Sequence, residues 1–490
     1  MARELVIALD IGTTSAKAVI FELDGKLVAE AERMITSYYP QFGWVEQDPV
    51  EIEQSSVRAI KDVIEKANIK KGELLTLGIS CAMHSLICVD DDYNALSRAI
   101  IWADGRSTEQ AKELRQTDGN EIYAQTGLPN HPMSPLSKLL WMKETGFEPY
   151  QKAAYFISAK EYVIQKWFGQ QLVDYSMASA TGLFNMKTFD WDTQALALAG
   201  VERQQLSEIV PPTTILTGIN QGIADEMGIS SELPFVLGAA DGQLANLGSG
   251  AISPGEVAIT AGTSGAIRQM IHGFKVSEEQ ETFCYAFTRD LSIIGGPTNN
   301  GGIALQWLKE LIEYEGSFEE LTGEAEHVAP GAEGLLFLPY INGERAPIWK
   351  QEAKGNFFGL SITHKKEHLV RAVLEGITYN LYHIGQALER QAGEPEKIFV
   401  NGGLARSPLW VQMLADVFGK EVYLSESHHS AAWGAAWTAL VAIKKVESFE
   451  DIKQNIPIEA IVKPNQETHE IYVEAFRKYE MIARDLAKYF

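Results

Sequence analysis

The sequence predicts an α/β protein of two domains, each a mixed sheet flanked by helices, and three observations predict it. The chain has 490 residues, more than one compact core usually holds and suited to two or three domains. Residues 5–81 read as β-β-β-α-β, an order that packs helices on a mixed sheet. A strand, a glycine–hydroxyl turn and a second strand occur at 5–20 and again at 256–268. One copy stands near the start of each half, so the boundary is expected within 245–255, with domains over 1–245 and 246–490. The two turns are then expected to face each other across a cleft, where they could hold the phosphates of a nucleotide.

Composition narrows the class. Hydrophobic residues make up 46% of the chain, as in ordinary soluble globular proteins. No apolar run reaches membrane-spanning length. Met1 leads directly into a strand rather than a signal-peptide core, so no membrane is expected and cytoplasm is the expected location. Cys81, Cys88 and Cys284 have no metal-ligand spacing and cannot make a disulfide framework. Forty-two basic residues against 65 acidic ones give a formal charge of −23, which argues against a nucleic-acid surface. An anionic small molecule is still compatible, because it needs only a local cationic pocket.

The opening hairpin runs Leu5 to Asp10, turns through Gly12, Thr13, Thr14 and Ser15, and leaves through Lys17 to Glu22. Gly12 allows close approach of a ligand, and the hydroxyls and turn amides can face phosphate oxygens. Asp10 would repel a bare polyphosphate, so its natural companion is a divalent cation. Read alone, the stretch divides evenly between a phosphate turn and an ordinary polar hairpin. Asp24-Gly25 is a two-residue hairpin turn, and Lys26–Arg33 returns as a third strand. Asp48, Pro49 and Glu51 form a helix start, with the helix running to about Lys66. Leu74–Cys81 is a buried strand, with Met83 and His84 at its end, where ligands gather in open α/β sheets. A strand-end histidine is more often a structural hydrogen-bonder. A second polar strand end at Trp102, Asp104 and Arg106 makes a polyol pocket more credible. Asn130–Pro135, containing His131, is proline-rich and reads as a loop. Helices are expected over Lys138–Lys143 and Lys160–Trp167.

Pro234–Ala240 is a further strand closed by a carboxylate, Asp241, followed by Gly242 and Gln243. The local reading favours Asp241 as the cap of a helix starting at Gln243. Glu256–Arg268 repeats the opening theme, with Gly262, Thr263 and Ser264 in the turn. A glycine-rich junction at 295–302, ending in Gly302, leads into a helix. Pro339–Pro347 is a polar loop between apolar segments. Apolar residues at helical spacing mark a long helix over Lys366–Gln391. Lys397–Val400 is a strand delivering Gly402 and Gly403, and Ser407-Pro408 starts a helix. Bare glycine backbone before a helix can accept an adenine or a phosphate. Ser430–Lys444, alanine-rich around Gly434, and Glu470–Phe490 complete the expected helices.

With these pieces placed, the chain resembles the FGGY carbohydrate kinases of the actin-like ATPase superfamily over nearly its whole length. Asp10–Ser15 and Ala261–Ser264 are similar to the family's two phosphate hairpins. Gly355–Leu360, followed by His368-Leu369 and Ala372–Glu375, resembles its C-terminal signature. Met133–Met142 resembles its N-terminal signature, departing at Thr145, where a larger polar residue is usual. The resemblance implies two ribonuclease H-like domains with the active site in the interdomain cleft, and ATP and Mg²⁺ as cofactors. It makes Asp241 the catalytic base rather than a cap, and places Asp10 on Mg²⁺. Gly12, Thr13, Thr14, Lys17, Gly262, Thr263, Ser264, Gly302, Gly402, Gly403 and Arg406 are implied at the nucleotide. Met83, His84, Trp102, Asp104, Arg106, His131, Asp241 and Gln243 are implied at the sugar.

Within the family, Ala82–Ser85, Thr126–Lys138, Asp174–Gly182 and Gly296–Gly302 resemble the branch that phosphorylates D-gluconate. Xylulose kinases share the Met-His and Trp-x-Asp-x-Arg elements but differ around His131 and Asn299-Asn300, and remain the alternative. The expected partners are ATP and a sugar or aldonate, with a homodimer left open. A gluconate site needs a cation or several donors for the carboxylate, for which His131 and Arg106 are the candidates. His131 could equally be a loop residue packed on the prolines. An actin-like ATPase that drives movement, or a degenerate sugar sensor, is the reading from another class. The first would not need the Met83-His84 pocket, and the second would not need both phosphate turns and Asp241.

Overall fold

The computed structural model describes residues 3–70, 72–425 and 429–490. Strands β1 (Leu5–Ile11), β2 (Ser15–Glu22) and β3 (Leu27–Met34) form the antiparallel meander expected from the Gly12 and Asp24-Gly25 turns. Helix α1 (Pro49–Lys66) follows, with the Asp48 carboxylate accepting the Val50 N–H at 2.9 Å and Pro49 in the first turn. Strand β4 (Leu74–Cys81) then pairs parallel to β1.

Helix α2 (Pro135–Thr145) starts earlier than its apolar pattern suggests, because Ser134 caps it by accepting the Ser137 N–H. Helix α3 (Ala159–Phe168) carries a Ser158/Glu161 capping box. The first sheet is completed by β5 (Ile215–Leu216) and β6 (Phe235–Ala240), in the order β5-β6-β4-β1-β2-β3. Helix α4 (Asp241–Gly248) leaves β6 directly. It begins at Asp241 with Ala240 at the cap position, so the expected start at Gln243, with Asp241 as capping side chain, is not what forms.

The second sheet draws on β7 (Glu256–Ala261), β8 (Gly265–His272), β9 (Phe283–Ala286) and β10 (Leu291–Thr298). Helices α5 (Gly302–Leu311), α6 (Phe318–Glu324) and α7 (Lys366–Ala392) intervene before β11 (Lys397–Asn401). Helix α8 (Pro408–Phe418), β12 (Val422–Ser425), helix α9 (Ser430–Ala442), β13 (Ile458–Val462) and helix α10 (Gln466–Leu486) finish the chain. Asn465 caps α10, which is why it starts four residues before the expected Glu470.

The sheet order is β9-β10-β8-β7-β11-β12-β13. In each sheet an antiparallel hairpin is followed by two parallel strands and an antiparallel edge strand. The echo between the two turns is thus one of whole-sheet topology.

Helix α9 comes from the second half but packs on the first. A Cβ on Gly78 of β4 would lie 2.1 Å from the Ala435 carbonyl oxygen, and one on Gly434 would lie 2.1 Å from that of Leu244 in α4. These are backbone-to-backbone contacts that only glycine permits. Among the described residues, no helix is long and apolar enough to cross a membrane.

Candidate active site

Both glycine turns close in the same way. Gly12 N–H donates to the Ser15 carbonyl at 2.9 Å, and Gly262 N–H to the Ser264 carbonyl at 2.9 Å. In the second turn the carbonyls of Gly262 and Thr263 accept the first N–H groups of α5, from Gly302 at 2.6 Å and Ile303 at 3.1 Å. A cavity of about 240 Å³ opens beside this junction. Leu305, Phe318 and Trp410 form its apolar wall, and Gly262, Thr263, Gly403 and Arg406 lie on its polar side. Such a cleft suits a flat base with phosphates beside a helix N-terminus.

Gly302 also lines this cavity. Ser264 and Gly402 stand behind it: Gly402 has φ +87°, and a Cβ there would lie 2.7 Å from the Ala261 carbonyl oxygen. Gly12, Thr13, Thr14 and Lys17 belong to the opposite turn. Thr13 Oγ1 accepts the Trp102 indole N–H at 2.9 Å, the Thr14 carbonyl accepts the Ile35 N–H, and Lys17 sits across from Asp10 in the β1–β2 register. Phe318 and Trp410 were not legible as wall residues, although Trp410 follows Ser407-Pro408 by two positions.

Two carboxylates mark the acid end of the site. Asp10 accepts the Ser80 hydroxyl at 2.6 Å, and burial raises its pKa while Ser80 and Lys17 pull it down. Asp241 accepts the N–H of Gly242 at 2.7 Å. Burial, and secondarily the neighbouring Asp10 charge, push Asp241 up to about 6, with Arg268 drawing it back. Behind Asp241, Ala240 N–H donates to Ser176 Oγ at 2.7 Å, and Ser176 N–H donates to Asp174. Asp174 is ion-paired with buried Lys160 at 2.7 Å. Among the described residues no three His, Cys, Asp or Glu side chains group as a metal cage. A buried carboxylate such as Asp10, with Ser80 on only one of its oxygens, fits Mg²⁺ held chiefly by water and phosphate oxygens.

The other end of the site is cationic. His84, in the left-handed region at φ +67°, donates from Nδ1 to the Ala180 carbonyl at 2.7 Å. Its Nε2 faces the Tyr285 hydroxyl at 3.4 Å. Burial lowers its pKa to about 3, so the ring is neutral. His131 Nδ1 accepts the Met133 N–H at 3.1 Å, which leaves the proton on Nε2. Burial, with Arg345 and Arg115 nearby, holds His131 well below its ordinary pKa, and its ring sits edge-on to Trp349.

Arg345 lies over the Trp102 ring, 5.0 Å from its centroid. Its loop is fixed by Glu344, which accepts the Thr298 hydroxyl at 2.7 Å, the Asn299 N–H at 3.0 Å, and the side chains of Asn300 and Asn380. Arg268, Tyr285, Arg345 and Trp349 all come from the second half, so both halves ring the acceptor region. Sequence reasoning passed over these four; Arg345 was visible only as part of a polar loop.

Met83 lies against this region, its Cε 3.4 Å from where a Gly242 Cβ would stand. Gln243 is buried with an unpartnered Nε2. Arg106 and Asp104 differ from expectation. The Arg106 side chain is fully buried, bonded to Asp104 through Nε at 2.8 Å and to Glu46 at 2.7 Å, and stacked over Trp44 at 3.8 Å. Asp104 also accepts the Val45 N–H at 2.6 Å. The pair pins the 44–46 segment, and Arg106 Nη1 is buried without a partner.

The description "FGGY family of carbohydrate kinases, N-terminal domain" matches residues 5–248, and the corresponding C-terminal domain matches residues 257–443. The chain belongs to this family, is a carbohydrate kinase, and has the family's two-domain, ribonuclease H-like fold. It is similar to the gluconokinase of Bacillus subtilis, 41% identical over 99% of this chain and 98% of that protein. Among solved structures, gluconate kinase from Lactobacillus acidophilus superposes with a TM-score of 0.96 at 32% identity, covering 99% of this chain and 98% of that one. Ligand-bound xylulose kinase from Lactobacillus acidophilus gives the same TM-score of 0.96, at 32% identity and the same coverage.

Proposed function

We propose that this kinase transfers the γ-phosphoryl group of ATP to the 6-hydroxyl of D-gluconate, giving ADP and 6-phospho-D-gluconate. The observation that carries the substrate is the 41% identity with a gluconokinase along the full length of both chains. The site's polarity supports it: a chain of formal charge −23 gathers buried Arg345 and half-buried Arg268 at the acceptor region. In this reading Asp241 accepts the proton of the 6-hydroxyl as its oxygen bonds to the γ-phosphorus and the bond to ADP breaks. The second turn and Arg406 hold the phosphates, the first turn faces them, and Leu305, Phe318 and Trp410 enclose the base. Asp10 would hold Mg²⁺, which supplies neutralisation of phosphate charge when bound. The reading places the enzyme in the cytoplasm, where ATP is available.

The equal structural likeness to a xylulose kinase favours a ketose as the second reading. A coupled assay of ADP release across aldonates, ketoses and polyols separates the two. Gluconate is expected to give the highest kcat/KM; a preference for D-xylulose overturns the proposal.

A further inference from the structure

We infer that Arg345 is the clamp for the acceptor's carboxylate; this rests on the gluconate reading. Arg345 is 9% exposed, yet the hydrogen bonding of its side chain among the described residues is one contact, from an Nη to the Thr298 carbonyl at 3.3 Å, and its Nε has no partner. Neighbouring Glu344 does not saturate it, because the carboxylate of Glu344 is taken up by Thr298, Asn299, Asn300, Asn380 and the Arg345 backbone N–H. Arg268 projects from β8 against Gly242, its Nε 3.1 Å from where a Cβ would stand there. Burial lowers both guanidinium groups, Arg345 to about 10, and Arg268 adds to the effect on Arg345.

A buried guanidinium is unfavourable without acceptors for its N–H groups; Arg345 feels the Glu344 charge, but among the described residues no carboxylate bonds to its side chain. Arg106 shows the contrast within the same protein: it is as buried and also has one unpartnered nitrogen, Nη1, but two carboxylates bond to its other nitrogens. Two other unpaired groups of the site have the same sign. His131 Nε2 and Gln243 Nε2 are buried without partners, and both are hydrogen-bond donors, as is Arg345 Nε. A cluster of idle donors fits a group that only accepts, and a carboxylate is such a group. The acids lie at the other end, on Asp10 and Asp241. A linear aldonate therefore has one orientation in which its carboxylate meets Arg345 and its terminal hydroxyl meets Asp241. The Glu344 network with Asn299 and Asn300 holds the loop, so the Arg345 fork is in place before the ligand arrives.

Calorimetric titration of gluconate into the full-length protein, without nucleotide, tests this with Arg345→Lys, Arg345→Gln and Arg345→Met. Loss of a charge-assisted fork should weaken gluconate binding by about 10- to 100-fold in Arg345→Gln and Arg345→Met. Arg345→Lys should recover part of the loss, because it keeps the charge without the fork. Binding of a non-hydrolysable ATP analogue, unchanged in each variant, shows that the fold is intact. Equal binding by Arg345→Lys and Arg345→Gln, or unchanged binding by Arg345→Gln, overturns the clamp. Failure of the substrate reading is seen separately, in wild-type protein that prefers a neutral sugar.

Discussion

Ser176 Oγ accepts the backbone N–H of Ala240 at 2.7 Å, a bond made where β6 breaks register with β4. Gly238, at φ +65°, makes the break, and a Cβ there would collide with the Ile79 carbonyl. The N–H that leaves the ladder is satisfied from below by a serine fixed to Asp174 and Lys160. Asp241 follows immediately, so its placement depends on that serine. Ser176→Ala strands the Ala240 N–H and should cost about 1–3 kcal/mol of stability in urea unfolding. Turnover should fall roughly tenfold with an unchanged KM for ATP. Full turnover in this variant would disconnect Ser176 from the base.

Asp241→Asn should preserve fold and nucleotide binding and lower kcat by about 10²–10⁴, the usual worth of a positioned base. The same group sets a pH limit. Its pKa stands at about 6, and only the ionised form can take a proton. The acid limb of kcat/KM for gluconate should therefore fall as pH drops through about 6. Carboxyl-carbon NMR of the ligand-free protein should show the same titration, missing in Asp241→Asn.

The acceptor region is ringed by residues of both halves, among them His84 and Tyr285. Binding of both substrates should accordingly draw the halves together and exclude water. Small-angle scattering with gluconate and a non-hydrolysable ATP analogue should show a smaller radius of gyration than either ligand alone. No change would argue that the cleft is already closed.

Gly402 packs its α-carbon against the Ala261 carbonyl in a left-handed conformation. Gly402→Ala should displace the segment leading to Arg406 and destabilise the protein by about 1–3 kcal/mol. The KM for ATP should rise several-fold, with the gluconate KM little altered. Equal effects on both would show that the change spreads beyond the nucleotide cleft.

Much of this was readable from the chain, and the reasons are local. The turns at Gly12 and Gly262 stand between apolar runs, so chain chemistry alone dictates them. Asp241 was harder: a carboxylate before a helix reads as a cap, and only the backbone geometry shows Ala240 in that role. Arg106 misled because its partner Glu46 lies sixty residues earlier, beyond any local pattern. Arg345 and Tyr285 reach the acceptor region through second-half strands and loops, a placement set by tertiary packing rather than by periodicity. The position of Met83 and His84 after β4 was legible because the apolar run ending at Cys81 marks the strand end.

The seating of α9 on the first sheet bears on how the chain can be divided. A gene cut near residue 250 would separate the two sheets cleanly on paper. It would also strip the first of its cover, since Gly78 of β4 and Leu244 of α4 meet the backbone of residues 434–435. An amino-terminal fragment would present that small-residue groove to solvent and stick to its own kind, whereas the same fragment supplied with residues 430–442 would have its missing lid. The two halves look like duplicated units, but they are interlocked: each sheet can be drawn separately, yet the first cannot be inherited or engineered without a helix of the second.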